Sequence, residues 1–190
     1  MQTLALTFDD GPDRDGTPLV LDALARHDAR ATFFVIAPRA AAHPKLLARI
    51  VSDGHTVGLH CDEHVRHCER DADWCAADTR RALGRLQELG IAPRLWRTPW
   101  GDTAPWTERI ATDHNLKIIG WTVDTHDWRG DDAERMYADT RGRLHDGAIV
   151  LAHDGLGPGA TRENADATAA YVEMIAEHGR RHGLTLAALA

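Results

Sequence analysis

The sequence predicts an α/β fold, a single-domain distorted (β/α) barrel with about seven parallel strands over residues 1–190. Short apolar runs alternate with helical patterns along the chain, which is typical of parallel strands joined by helices. Glycines stand between several helical patterns and the next apolar run, where a helix end favours positive φ. Polar side chains follow the apolar runs directly, and chemistry in such folds lies where the strands end.

Seven apolar runs predict the strands, beginning with an alternating segment at the amino terminus. The predicted strands cover residues 4–8, 31–36, 56–60, 95–96, 118–122, 148–151 and 184–187. Seven strand–helix units are one short of the regular eight-unit barrel. We therefore expect a barrel that departs from the regular form.

Six helical patterns lie between these strands. Thr17 and Pro18 begin the first, because Thr is a common cap and Pro suits the first helical position. The predicted helices cover residues 17–27, 43–52, 72–89, 105–114, 131–145 and 164–182.

The composition argues against two classes of protein. Hydrophobic residues make up 43% of the chain and charged residues 27%, ordinary values for a globular protein. No apolar run approaches the roughly 18 residues that cross a bilayer, so an integral membrane protein is not expected. The formal net charge of −7 argues against a nucleic-acid-binding protein, which would carry a basic field.

The amino terminus has neither the cationic start nor the apolar stretch of a secretory signal. We expect a cytoplasmic protein, or a secreted one if the sequence is a trimmed domain. The three cysteines are Cys61, Cys68 and Cys75, and an odd number argues against a disulfide framework. Twelve histidines are unusual for this length and direct attention to metal binding.

A candidate metal site combines the ends of the first and third predicted strands. Asp9 and Asp10 are adjacent carboxylates that repel each other unless a cation lies close, which favours a metal for one and another role for the second. His60 and His64 are four residues apart, so on a helical turn both imidazoles face one metal. Together with Asp10 they leave an open coordination position, as catalytic zinc requires.

Simpler interpretations of these segments remain open. Residues 9–12 also fit a plain turn, because Asp, Gly and Pro are favoured there. His67 and Cys68 are rival metal ligands one turn further along, although a cysteine ligand suits a closed structural site better.

Three later segments add polar and aromatic side chains to the same predicted rim. Residues 97–100 combine a cation, a proline and an indole, and residues 124–128 add two carboxylates and a second indole. His153 follows the strand at 148–151. Each segment alone also fits a surface loop or a packed core residue. Their shared position after different strands favours one catalytic site.

In this order, the motifs resemble those of the polysaccharide deacetylase family, the carbohydrate esterases of family 4. The resemblance covers nearly the whole chain. It rests on TFDDGP at 7–12, ATFFV at 31–35, HCDEH at 60–64, RTPWG at 97–101, DTHDW at 124–128 and LAH at 151–153.

The resemblance implies a metal-dependent hydrolase that removes acetyl groups from N-acetylated, sometimes O-acetylated, sugars. By position in the motifs, Asp10, His60 and His64 would hold the metal, usually zinc, with Co²⁺ or Ni²⁺ as alternatives. Asp9 would be the general base and His153 the general acid.

The resemblance assigns supporting roles to five further residues. Arg97 would orient Asp9 and keep it ionised, and Asp127 would pair with His153. The backbone N–H of Trp100 would face the developing oxyanion. Trp128 and Leu151 would line the pocket for the acetyl methyl group.

The sequence departs from the family pattern in two places. Cys61 stands where Ser or Thr is usual, and residues 65–71 are polar and rich in His and Cys, which predicts either a distinct substrate site or a solvated loop. The glycine-rich segment 155–162 ends at Arg162. Arg162 would contact an anionic substrate group or simply be solvated at a helix start.

The sequence thus predicts an N-deacetylase of an amino sugar, in a polysaccharide or an oligosaccharide. The alternatives are an O-acetyl esterase of the xylan type, a deacylase of a small intracellular N-acyl metabolite, and a catalytically silent carbohydrate-binding protein. The expected partner is an acetylated carbohydrate or small N-acyl substrate, with neither nucleic acid nor membrane.

Overall fold

The computed structural model describes residues 2–190, and a parallel β-sheet forms its centre. The strands are β1 Gln2–Asp9, β2 Ala31–Ile36, β3 Thr56–Cys61, β4 Leu95–Trp96, β5 Lys117–Ile118, β6 Val123–Asp124, β7 Ile149–His153 and β8 Leu184–Leu186. Seven strands are hydrogen-bonded in the order β5-β4-β3-β2-β1-β7-β6, and β8 pairs with the first residues of β1. All these pairings are parallel, as predicted.

Helices connect the strands. They are α1 Gly16–Arg26, α2 Ala37–Ala42, α3 Pro44–Ser52, α4 Ala72–Glu88, α5 Thr107–Asp113, α6 Ala133–Thr140 and α7 Asp166–His182. The carboxylates of Asp71 and Asp132 accept backbone N–H bonds at the starts of α4 and α6, which satisfies donors that the helices cannot pair internally. Within residues 2–190, every helix is too short or too polar to cross a bilayer.

The sheet curls into an incomplete barrel. Its two edges are β5 and β6, yet only residues 119–122 separate these strands in the chain. An extended chain from Ile118 to Val123 spans at most about 18 Å, so the edges lie near each other in space. In the described part of the chain, no strand pairing joins β5 to β6. The predicted distorted barrel is confirmed.

The predicted strand at residues 118–122 is wrong. β5 ends at Ile118, β6 begins at Val123, and the residues between them cross the gap in the barrel. The carbonyl groups of Ile119 and Gly120 accept hydrogen bonds from the Arg97 side chain instead of from a neighbouring strand.

Two helix predictions also need correction. The short helix α2 directly follows β2 and was not predicted, because its Ala-rich sequence has no polar face to give a helical period. The predicted helix 131–145 is too long, since α6 ends at Thr140 and a 3₁₀ turn with Gly142 at its centre follows. The other predicted elements agree with the structure to within two residues at each end.

Strand β1 separates the hydrophobic core from the barrel interior. Leu4, Leu6 and Phe8 are fully buried in the core, where Phe8 stacks on Phe33 at 5.2 Å. Because successive strand residues point to opposite faces, Thr7 and Asp9 point into the barrel. The sheet order then brings the carboxyl ends of β1, β3, β4 and β7 to one rim.

Close packing inside the barrel generates a testable prediction. A Cβ atom at Gly58 of β3 would lie 2.6 Å from the Phe34 ring and 3.2 Å from the Leu95 carbonyl oxygen. We expect Gly58→Ala to lower the free energy of unfolding by about 1–3 kcal/mol because the methyl group overpacks this site. Urea denaturation at neutral pH measures the change.

The matched control is Gly84→Ala on α4, where the added Cβ would meet no atom of residues 2–190 within 4 Å. This variant should raise the free energy of unfolding by about 0.5–1 kcal/mol, since alanine is the better helix former. Equal effects of the two substitutions would contradict the packing argument.

Candidate active site

A buried ion pair lies at the centre of the site. Asp9 is the last residue of β1, and its Oδ1 accepts a hydrogen bond of 2.9 Å from Nη1 of Arg97, which follows β4. Arg97 is fully buried, and the same Nη1 also donates to the Thr7 hydroxyl at 2.7 Å. The fixed guanidinium compensates the charge of the Asp9 carboxylate and fixes its orientation.

The rest of the Arg97 guanidinium is equally constrained. Nε and Nη2 donate to the carbonyl groups of Ile119 and Gly120 at 3.2 and 3.0 Å. The guanidinium carbon lies 4.3 Å from the centre of the Phe34 ring. Every nitrogen of this guanidinium therefore has an acceptor, as burial of a charge requires.

Asp10 turns away from this pair and faces two histidines. Its backbone has a φ of 74°, in the left-handed region. Its Oδ1 lies 3.4 Å from Nε2 of His60 and 3.2 Å from Nε2 of His64. One ligand atom from each of the three residues lies within 4.8 Å of the others. The structure thus brings together the three predicted metal ligands.

The donor set fits a divalent metal ion. Oδ1 of Asp10 is buried and has no hydrogen-bond partner among residues 2–190, as expected of an atom that would bind a cation. His60 Nδ1 lies 2.6 Å from the carbonyl oxygen of Arg97. A proton on Nδ1 then donates to that carbonyl, and the lone pair of Nε2 points into the cluster. Two imidazole nitrogens and one carboxylate oxygen are typical zinc ligands.

The charges of the cluster favour bound cations. Burial alone would raise the pKa of Asp10, but the close imidazoles of His60 and His64 hold it well below its ordinary value. Burial would lower the pKa of His60, yet the neighbouring carboxylates of Asp10 and Asp9 raise it. The site thus attracts positive charge, which a metal ion would supply in place of protons.

His153 and Asp127 form a second polar pair on the other side of β1. The parallel register of β1 and β7 places His153 opposite Asp9. His153 Nδ1 lies 2.7 Å from Asp127 Oδ1, and the backbone N–H of His153 donates to Asp127 Oδ2 at 2.9 Å. Burial would lower the pKa of His153, but the charge and hydrogen bond of Asp127 raise it to about 9. The imidazole is therefore a cation at neutral pH.

An open cavity of about 410 Å³ lies above these groups. Trp100, Trp128 and Leu151 line it, as does Trp121, which the sequence analysis did not single out. Trp100 contacts the His64 ring edge-on, with the ring centres 4.2 Å apart, and has a φ of 55°. The indoles of Trp100 and Trp128 are each 37% exposed at the mouth of the cavity. The structure thus places every predicted site residue at one rim.

The alternative metal ligands, His67 and Cys68, lie outside the group formed by Asp10, His60 and His64, which we call the Asp10 cluster. His67 is buried against the Trp96 ring and lies 3.1 Å from the Thr107 hydroxyl, which is a structural position. Cys68 is exposed, 4.0 Å from Asp102. Cys61 is buried beside His60, and burial raises the pKa of its thiol well above the ordinary value. Its neutral S–H is a poor metal ligand.

The structure corrects the interpretation of Arg162. Its side chain is 5% exposed and donates to Asp127 Oδ2 at 2.9 Å, so it is not solvated at a helix start and its guanidinium pairs with a carboxylate of the protein itself. The position of Arg162 is 35 residues from Asp127 in the sequence. A loop with so many glycines gives no periodicity from which such a contact could be predicted.

The sequence analysis also missed two polar residues next to the site, Arg39 and Asp154. Arg39 on α2 donates to the backbone carbonyl of Asp10 at 2.8 Å and to that of Leu156 at 2.9 Å. Asp154 is buried directly after His153, and burial raises its pKa to about 7. Its Oδ2 accepts a hydrogen bond of 2.5 Å from the Thr17 hydroxyl of α1. The LAH motif ends one residue before Asp154 and gives no signal for it.

The model of the polysaccharide deacetylase family matches residues 1–119. The chain belongs to the polysaccharide deacetylase family. The matched part contains Asp9, Asp10, both histidines of the cluster, and Arg97. Members of this family are in general metal-dependent, in agreement with the Asp-His-His cluster.

Individual members of the family are similar over most of the chain. Peptidoglycan-N-acetylglucosamine deacetylase of Bacillus cereus is 34% identical over 183 residues, which are 94% of this chain and 65% of that protein. The chain thus spans just under two thirds of that relative. Chitooligosaccharide deacetylase of a Bradyrhizobium species is 36% identical over 172 residues, 88% of this chain and 77% of that protein.

A solved structure shares the fold. The crystal structure of the Bc1960 peptidoglycan N-acetylglucosamine deacetylase is 30% identical and has a TM-score of 0.90. The match covers 98% of this chain and 86% of that one. The incomplete barrel of this chain is therefore the polysaccharide deacetylase fold.

The loop over Asp10 generates a prediction about metal binding. A Cβ atom at Gly157 would lie 2.0 Å from Asp10 Oδ2, although the backbone of Gly157 needs no positive φ. We expect Gly157→Ala to weaken zinc binding about 10- to 100-fold because the methyl group displaces the carboxylate. Titration of metal-free protein with zinc against a competing chelator measures the affinity.

Gly142→Ala is the matched control, since its Cβ would meet nothing within 4 Å among the described residues. Its zinc affinity should equal that of the wild type. An unchanged affinity in Gly157→Ala would show that the loop does not confine Asp10.

Proposed function

We propose that the protein is a metal-dependent hydrolase that removes the acetyl group from an N-acetylated amino sugar in an oligosaccharide or polysaccharide. The observation that carries the proposal is that a carboxylate and an imidazolium line the same cavity as the Asp10 cluster. Asp9 and His153 hold facing positions on neighbouring strands, and each has its own fixed partner. The names of the two relatives support an amino sugar as substrate.

Asp10, His60 and His64 would hold the metal, and zinc suits these ligands best. Bound there, it would supply Lewis acidity to a water molecule and to the acetyl carbonyl group. Asp9 takes a proton from the water as the water oxygen bonds to the carbonyl carbon. Arg97 keeps the Asp9 carboxylate in place for this transfer.

His153 completes the reaction on the leaving-group side. The carbon–nitrogen bond breaks as His153 gives its proton to the sugar nitrogen, which leaves acetate and a free amine. An amine is a poor leaving group unless it is protonated, so a histidine held as a cation by Asp127 suits an amide substrate. The backbone N–H of Trp100 would stabilise the oxyanion, a contribution of roughly 3 kcal/mol. Leu151 and Trp128 would enclose the acetyl methyl group.

Acetate release from a panel of substrates tests the proposal. The panel contains N-acetylglucosamine oligomers, acetylated xylan and small N-acetyl metabolites, each with chelator-treated protein refilled with zinc, cobalt or nickel. We expect metal-dependent release from the N-acetylglucosamine oligomers. In Asp9→Asn the rate should fall about 10²–10⁴-fold without loss of bound metal, because the base is removed but the ligands remain.

Asp139→Asn is the control for this substitution, since Asp139 is an exposed carboxylate on α6. Release only from xylan would identify an O-acetyl esterase, and release only from metabolites a small-molecule deacylase. Binding of oligomers at one metal equivalent without turnover would identify a carbohydrate-binding protein.

The His153–Asp127 pair predicts the alkaline limb of the pH–rate profile. Because the acid must be protonated, kcat/KM should fall as the pH rises through the His153 pKa of about 9. In Asp127→Asn the charge and the hydrogen bond that do most to raise this pKa are lost, while burial, which lowers it, remains. The alkaline limb should therefore move to lower pH. A profile that keeps its alkaline limb in this variant would exclude His153 as the acid.

A further inference from the structure

Arg162 contacts three parts of the site around His153: the Asp127 carboxylate, the Thr168 hydroxyl and the main chain at His153 and Gly155. It lies in the segment between β7 and α7, and its Nη1 contacts both Asp127 Oδ2 and the Thr168 hydroxyl. Its Nη2 donates to the backbone carbonyls of His153 at 2.8 Å and Gly155 at 2.9 Å. The Arg162 guanidinium therefore binds both the Asp127 carboxylate, which faces the His153 imidazole, and the main chain of His153.

This arrangement leaves Asp127 one orientation. Its Oδ2 accepts hydrogen bonds from the His153 backbone N–H at 2.9 Å, from Arg162 at 2.9 Å and from the Thr168 hydroxyl at 2.7 Å. Three donors share that oxygen, which offers about two lone-pair sites, so it has no room for a further donor. Oδ1 is left to the imidazole alone. A rotation of the carboxylate would break three bonds at once.

The planar fork of an arginine is suited to this task, and a lysine is not. Two nitrogens at a fixed angle bind the carboxylate on one side and two carbonyl groups on the other. A lysine ammonium would carry the same charge as a single point and could not span both sides.

We propose that Arg162 is a positioning residue, which fixes the Asp127 carboxylate and the His153 main chain as one rigid unit and shares the charge of Asp127 with the imidazole. Its catalytic consequence rests on the function proposed above, whereas the contacts themselves do not. Arg162 is absent from the motifs on which the family resemblance rests.

The charged and titratable groups around this unit come from several elements. Asp9 and Asp10 face His153 from the end of β1, and Tyr171 of α7 lies near Asp127. Besides the His153 imidazole, the Arg162 guanidinium is in direct contact with the Asp127 carboxylate. Loss of its charge would leave more of the Asp127 charge for the imidazole, so the pKa of His153 would rise.

Two variants of Arg162 separate the effect of its planar geometry from the effect of its charge. Arg162→Gln removes both the fork and the charge, and Arg162→Lys removes only the fork. Arg135→Gln on the exposed surface of α6 is the matched control. For each folded variant, NMR of ¹⁵N-labelled histidines gives the pKa of His153, with His153→Gln used for assignment, and steady-state kinetics give kcat and KM.

We expect Arg162→Gln to lower kcat about 10- to 100-fold with KM little changed, because the acid is misplaced while Trp100, Trp128 and Leu151 still line the cavity. It should raise the pKa of His153 by about one unit. Arg162→Lys should keep the native pKa and still lose kcat. Native kcat in Arg162→Lys would overturn the positioning role, and native kcat and pKa in Arg162→Gln, with only lower stability, would leave a purely structural residue.

A measurement on the wild-type protein tests the positioning role of Arg162 even if these variants do not fold. Guanidinium NMR of ¹⁵N-arginine protein should show separate Nη signals for Arg162, because four acceptors restrict its rotation. One averaged signal would overturn the proposal. The two NMR measurements need no turnover, so absence of acetate release would count against the proposed function alone.

Discussion

The guanidinium of Arg97 lies fully buried between β1, β4 and the segment that crosses the open side of the barrel. It pairs with Asp9, and it supplies the carbonyl groups of Ile119 and Gly120 with donors where strand pairing is interrupted. Its own backbone carbonyl faces Nδ1 of His60. Asp9, the gap in the barrel and the orientation of His60 thus depend on a single residue. Burial of an ion pair costs desolvation energy, and a hydrophobic pair would often be as stable. The buried Arg97–Asp9 pair is therefore better explained by the arrangement of the site than by a contribution to the stability of the fold.

Adjacent carboxylates become useful because the backbone separates them. Asp9 ends β1 and points into the barrel towards Arg97. Asp10 adopts a φ of 74° and turns to the two histidines. That conformation costs a non-glycine residue roughly 1–2 kcal/mol. Arg39 binds the Asp10 carbonyl at 2.8 Å and holds the turn in place. One carboxylate is thereby paired with a fixed cation, and the other is left free to bind a metal.

The sequence predicted the strand ends well because polar side chains lie at the end of a buried apolar run or within two residues after it, as Asp9 follows 4–8 and His153 follows 148–151. It failed where long-range hydrogen bonds decide the local structure. Residues 118–122 have the apolar character of a strand, but Arg97 takes two of their carbonyl groups. Arg162 and Arg39 act through contacts 35 and 29 residues away, in segments without periodicity. Such contacts depend on how segments that are distant in the sequence pack together at the rim. A local sequence pattern carries no information about that packing.

The two sides of the site use the same components for opposite chemistry. Arg97 binds Asp9 directly, so the carboxylate itself lies at the cavity beside the Asp10 cluster. Arg162 also binds a carboxylate, Asp127, but there an imidazole is inserted between the carboxylate and the cavity. The negative charge then keeps a proton on His153 instead of taking one up. Since β1 and β7 are neighbours in register, Asp9 and His153 lie side by side at the rim that carries the Asp10 cluster. Under the proposed function, Arg97 on one side and Asp127 on the other set the direction of proton transfer, from the water at Asp9 to the nitrogen at His153.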